Sequence, residues 1–172
     1  MHRLMVMCRG CRGILLSLVV ALFVAATFVV GVASAAGNGP SATGAGHFSD
    51  GGALRTFSFT AIAHADGTVS GNAEINNRGI PGTTAGTSHI AVDCLQVVGN
   101  TAYVSGTVTD STVASLVGDS AVFGVQDNGE GSKSPPDLIS LAFYFLPFPQ
   151  LCQVVHETPN IQIEGGNIQI HS

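Results

Sequence analysis

The chain has 172 residues, six Lys and Arg against eleven Asp and Glu, and a formal net charge of −5. That balance excludes the clustered basic surface that nucleic acid or an anionic membrane face demands. With 45% of the residues hydrophobic, there is enough apolar material for one real core.

The first element is not part of the fold. Arg3, Arg9 and Arg12 precede an apolar run from Ile14 to Val32, which ends in "ASAAG", Ala33 to Gly37. A positive start, an apolar middle and an A-x-A end predict a secretory signal peptide over 1–35, cut after Ala35 or Ala36. The run is also about long enough to span a bilayer, but the A-x-A site favours removal. The mature chain is therefore expected to be secreted and extracellular, with no stable membrane insertion. Cys8 and Cys11 leave with the signal, so their C-x-x-C spacing is not a redox or zinc motif. Arg55, Arg78 and Lys133 then face all eleven acidic residues, a net charge of −8 with His neutral. Such acidity keeps a secreted protein soluble and names no partner.

Residues 36–53 are rich in Gly, Ser and Ala and lack a repeating apolar pattern. They read as a flexible leader, with ordered structure beginning near Leu54 and one β domain over 54–172. In "RTFSFTAIAH", Phe57, Phe59, Ala61 and Ala63 share one face. Asp66-Gly67 then suits a tight hairpin. In "TVSGNAEIN", Val69, Gly71, Ala73 and Ile75 oppose Ser70, Asn72, Glu74 and Asn76. "SHIAVDCLQVV" and "TAYVSGTVT" continue the period of two across a Gly99-Asn100 turn. Such alternation describes half-buried antiparallel strands. "STVASLVG" holds at most a helical turn. "DSAVFGVQD" and "DLISLAFYF" predict two more strands, and "IQIEGGNIQIH" a closing hairpin about Gly165-Gly166. About seven to nine strands joined by short turns predict an all-β antiparallel meander, a barrel or a sandwich. The barrel-like form is preferred because closure hides edges.

Three phrases belong together: "TFSFTAIAHADGTVSGNAEIN", "HIAVDCLQVVGNTAYVSGTV" and "AVFGVQDNGEGSKSPPDLISL". As a set they resemble a family of uncharacterised secreted bacterial β-domains, from about Leu54 to His171. The anchors are the "HADGTVSG" hairpin, the "CLQVVGN" strand end and the "DNGEG…PPD" loop. The resemblance implies secretion and a β fold, and it carries no catalytic residues.

Candidate sites are few. Cys94 and Cys152, the only mature cysteines, are most simply one disulfide in an oxidising compartment, with two free thiols as the alternative. Asp127, Asn128, Glu130 and Asp137 supply oxygens suited to a hard cation. Yet Gly129 comes too early for a calcium loop, and no Glu closes it at the twelfth position. A hairpin turn with mostly solvated acidic groups accounts for more of these residues: Asp127 can bond its own backbone two residues on. Phe57, Phe59, Phe123, Phe143 and Phe145 either fill a core or line a cavity for a small apolar ligand. "FYFLPFPQLC" either covers one end of the sheet or offers a contact patch to a protein partner. His64, His89, His156, His171 and His47 are scattered, and Asp93 with Glu74 is a candidate carboxylate pair. No catalytic motif stands out and no cofactor is expected. A non-catalytic structural or interaction module is the favoured function, ahead of a carrier of a small apolar ligand.

Overall fold

The computed structural model describes residues 39–79 and 85–172. The predicted signal segment and its cleavage site lie outside the described residues. Among the described residues there are ten strands: β1 Ser41–Asp50, β2 Ala53–Ala63, β3 Val69–Asn77, β4 Gly86–Val98, β5 Thr101–Ser111, β6 Ser120–Gln126, β7 Leu138–Ile139, β8 Phe143–Phe145, β9 Ile161–Gln162 and β10 Gly165–His171. They form one antiparallel sheet in the order β10-β1-β2-β3-β4-β5-β6-β7-β9, with β8 also on β6, and the sheet curls into a half-barrel. Among the described residues, no helix is long and apolar enough to cross a membrane.

The supposed leader is the first strand. β1 pairs along its whole length with β2, and from Ser41 to His47 with β10. Its alternate residues Ala42 and Phe48 are buried. Between them, Gly44 faces Phe59 and Gly46 faces Phe57 across the ladder. A Cβ on Gly44 would come within 2.7 Å of the Phe59 ring, and one on Gly46 within 3.1 Å of Phe57. The small residues are therefore room for two aromatic rings, a strand pattern in which glycine replaces the usual apolar side chain.

β2, β3 and β5 keep the expected alternation. Phe57, Phe59, Ala61, Ala73, Val104 and Val108 point into the curl, and Ser58, Thr60, Asn72 and Glu74 point out. Phe48, Phe57, Phe59 and Phe123 run as a chain of rings, with successive centroids 6.2, 6.3 and 5.4 Å apart. Each such ring, fully buried, contributes about 1.5–3 kcal/mol.

β4 changes phase. Val92 pairs with Gly106 but Cys94 pairs with Ser105, so Asp93 is the extra residue of a β-bulge. Upstream, Ile90 and Val92 face the core; downstream, Leu95 does, and Cys94 turns to the outer face. That outer face is not bare. The 146–160 segment crosses it, burying Leu151 and Cys152 against Cys94 and Val122. β6 is consequently buried on both sides, which is why its sequence shows no alternation.

Three turn expectations meet different outcomes. Gly99-Asn100 is the two-residue turn between β4 and β5, with Val98 opposite Thr101. The Asp66-Gly67 turn is longer, closing on His64 N to Thr68 O at 2.8 Å. The hairpin about Gly165-Gly166 does not form. β9 pairs with β7 and β10 pairs with β1, so consecutive strands occupy opposite edges of the sheet. The two glycines instead let β10 lie close to β1: a Cβ on Gly166 would overlap the Ala45 carbonyl oxygen. The expected strand "DLISLAFYF" is likewise split. It breaks at Ser140–Ala142, where the Ser140 hydroxyl takes the Gly124 N–H at 2.8 Å in place of a backbone carbonyl.

Candidate functional site

Three places gather chemically distinctive side chains. The first is the loop between β6 and β7, residues 127–137. It is a hairpin, as its residues predict: Gly129 has φ 84°, and its N–H bonds to Asp127 Oδ1 at 2.8 Å. The expectation of mostly solvated acidic groups holds for Glu130 but not for the aspartates. Asp137 is buried, and its two oxygens accept from Asn128 N and Ile168 N, both at 2.8 Å. The second oxygen of Asp127 accepts from Ile170 N at 3.1 Å. The N–H groups of Ile168 and Ile170 point to the side of β10 that no strand covers, so the two carboxylates stand in for the missing ladder partner. Glu130 Oε1 adds a bond from Asn167 Nδ2 at 2.8 Å. Asn128 sits inside, bonded to Gln126 and to the Pro136 carbonyl. All four Asp oxygens are thus occupied by N–H donors, and a cation would have to displace them. This loop is a latch across the open edge of the half-barrel. A charge-assisted acceptor facing a strand's free amides has the right chemistry for that task.

The second place is the outer layer over β4, β5 and β6. Cys94 and Cys152 form a disulfide, with Cα atoms 5.9 Å apart and a sequence separation of 58. Cys152 N donates to the buried Ser105 hydroxyl at 3.0 Å. Phe148 is tied to Ser120 by two bonds, at 2.8 and 3.0 Å. His156 stacks on Tyr103 with centroids 4.4 Å apart and reaches Gln96 at 2.6 Å. The bulged Asp93 lies beneath this layer. Burial pushes its carboxyl above the usual range, against the opposing pull of the Gln150 amide and the Ser105 hydroxyl, and its Oδ1 has no hydrogen-bond partner. Despite that anchoring, β8 and the chain after it expose the side chains of Phe143, Phe145, Leu146, Phe148 and Val154, Leu146 at 83%. Phe143 and Phe145 therefore line no interior.

The third place is a cavity of about 260 Å³ at one end of the curl. Phe48, Ile75, Leu116, Ile139 and Ala142 wall it, and Arg55 projects into it. None of the five phenylalanines singled out for a ligand cavity lines this one. Phe57, Phe59 and Phe123 fill the middle of the core instead. Arg55 was legible but passed over: extending the β2 alternation by one step places it on the face of Phe57 and Phe59. Its Nη2 stands 3.5 Å from Asp50 Oδ2, and its Nε is buried with no hydrogen-bond partner among the described residues.

The histidines do not converge. His64 bonds Ser70 at 2.6 Å, and His89 lies 3.6 Å from Glu74 on the exposed face. Glu74 therefore neighbours His89, whereas Asp93 is tucked under the outer layer. Among the described residues, no three of His, Cys, Asp and Glu are grouped to hold a metal ion. Comparison with protein-family models, with curated proteins and with solved structures finds no match.

Proposed function

We propose that this is a secreted, non-catalytic interaction module whose contact surface is the apolar strip from Phe143 to Phe148. The observation that carries the reading is the exposure of Phe143, Phe145, Leu146 and Phe148 on a segment that is otherwise firmly anchored. Contiguous exposed apolar side chains on a soluble domain mark contact sites. Aromatic anchors held in place bind with little ordering cost. The disulfide fits an oxidising exterior, as does the resemblance to secreted β-domains. In this reading the latched half-barrel behaves as a barrel and serves as a rigid scaffold. A carrier of an apolar ligand in the middle of the curl would need space there, and Phe57, Phe59 and Phe123 occupy it.

The test is site-specific photocrosslinking in the native source. A benzophenone side chain at Phe145 should give one discrete protein adduct that Leu146→Ser abolishes. The same group at Ser58, on the opposite side of the domain, should give none. Equal labelling at both positions, or none at Phe145, overturns the reading. An adduct of twice the chain mass would identify the partner as a second copy.

A further inference from the structure

We propose that the end cavity binds a small amphipathic carboxylate, with Arg55 holding the head group and the apolar wall holding the tail. Arg55 is one of only three basic residues beyond the predicted signal segment, and it points into the curl rather than into solvent. Its side chain is 22% exposed. An arginine so placed loses hydration and needs acceptors in return. The fold supplies few: Asp50 reaches one Nη at 3.5 Å, the outer limit of a hydrogen bond, and is itself 38% exposed. Nε has no acceptor among the described residues. A guanidinium offers paired N–H donors in a planar fork that matches a carboxylate bidentately. The unpartnered Nε and the charge of the guanidinium, which Asp50 meets only at 3.5 Å, therefore ask for the same ligand group.

The rest of the cavity sets the tail. Phe48, Ile75, Leu116, Ile139 and Ala142 give an apolar lining. The volume, about 260 Å³, falls just below the roughly 300–1,000 Å³ of sites for drug-sized ligands. A medium-chain or single-ring acid fits; a long acyl chain does not, because Phe57 and Phe59 block the way deeper into the curl. The polar members Asn77 and Ser88 lie on the same wall of the cavity as Ile75. Ser88 is already bonded to Ser111 at 3.1 Å, which leaves Arg55 as the group that selects for charge.

Octanoate, 1-octanol and acetate are the probes, titrated into the mature domain and followed by amide chemical shifts and calorimetry. Octanoate should bind one per chain and shift the amides of Ile75, Ser88 and Leu116. Octanol should bind about tenfold or more weakly, the value of a charge-assisted hydrogen bond, and acetate more weakly still. Arg55→Gln should erase the preference for octanoate over octanol. Ala142→Trp, which fills the cavity and leaves Arg55 in place, should abolish binding of both. The proposal fails if octanoate and octanol bind equally to the unaltered domain. It also fails if the preference survives Arg55→Gln, or if Ala142→Trp binds octanoate undiminished. Shifts confined to the Phe143–Phe148 strip would equally overturn it, and would leave the contact-surface reading standing.

Discussion

Replacing Asp137 by Asn is the sharpest probe of the latch. The change is isosteric and keeps one oxygen. One of the two amides it serves, Asn128 N or Ile168 N, then faces an NH₂ group instead of an acceptor. The loss has two parts. A hydrogen bond to a charged group contributes about 1.5–3 kcal/mol, and a buried donor left unsatisfied costs about 1–3 kcal/mol. These overlap, so the expected destabilisation is about 3 kcal/mol, a large share of the roughly 5–15 kcal/mol that holds a domain together. Urea unfolding of the β domain measures it, with an unchanged slope confirming that the unfolded state is the same. Amide hydrogen exchange localises it: Ile168 should lose protection first, and Ile170 with it, because both lie on the edge that the loop covers. Glu130→Gln is the control, since Glu130 is exposed and should shift stability by no more than about 0.5 kcal/mol. If Asp137→Asn costs less than about 1 kcal/mol and Ile168 stays protected, the carboxylate is not holding the edge and the latch is wrong.

Three further outcomes follow from other elements. A chain beginning at Gly51 should lose cooperative unfolding, because it lacks β1; a truncation that unfolds like a chain beginning at Ala36 would return residues 36–50 to the role of leader. Reducing the Cys94–Cys152 bridge should lower stability by up to about 4 kcal/mol for a 58-residue separation, and unchanged urea midpoints with and without reductant would contradict this. Asp93→Asn should stabilise the domain near neutral pH. A carboxyl whose folded pKa is raised binds its proton more readily in the folded state, so the ionised form opposes folding above that pKa and the opposition fades as pH falls toward 3.8. The gain over the unaltered domain should therefore shrink on acidification; a constant or growing gain would contradict the assignment.

The alternating strands were readable because one face is apolar and the other polar, as in Phe57-Ser58-Phe59-Thr60. β1 was not, because its core face carries Gly44 and Gly46, which donate space rather than side chains. That information resides in Phe57 and Phe59, a strand away. The phase change at Asp93 hid the reason Cys94 leaves the core. The pairing of Cys94 with Cys152 was nevertheless readable, since it needed only the count of cysteines beyond the predicted signal segment. In the loop, the Asx turn of Asp127 was local and therefore visible. Its second oxygen, and one of the two of Asp137, accept from residues 43 and 31 positions away, where short-range pattern carries no signal. Arg55 was the converse case, visible in the alternation but set at its end, where a charge reads as the strand's solvent-facing start.

The pairing of Ser41 with His171 has a consequence for assembly in time. Among the described strands β1 is the earliest to leave the ribosome, and one of its two edges waits for the latest of them. Every other neighbouring pair from β2 to β6 can zip as it emerges, each hairpin closing a short loop. The β1–β10 seam closes nearly the whole domain, the kind of distant contact that slows folding. Until then β1 carries an open row of N–H and C=O groups. The glycine-rich composition of that strand gives a stray partner little side chain to grip during the wait.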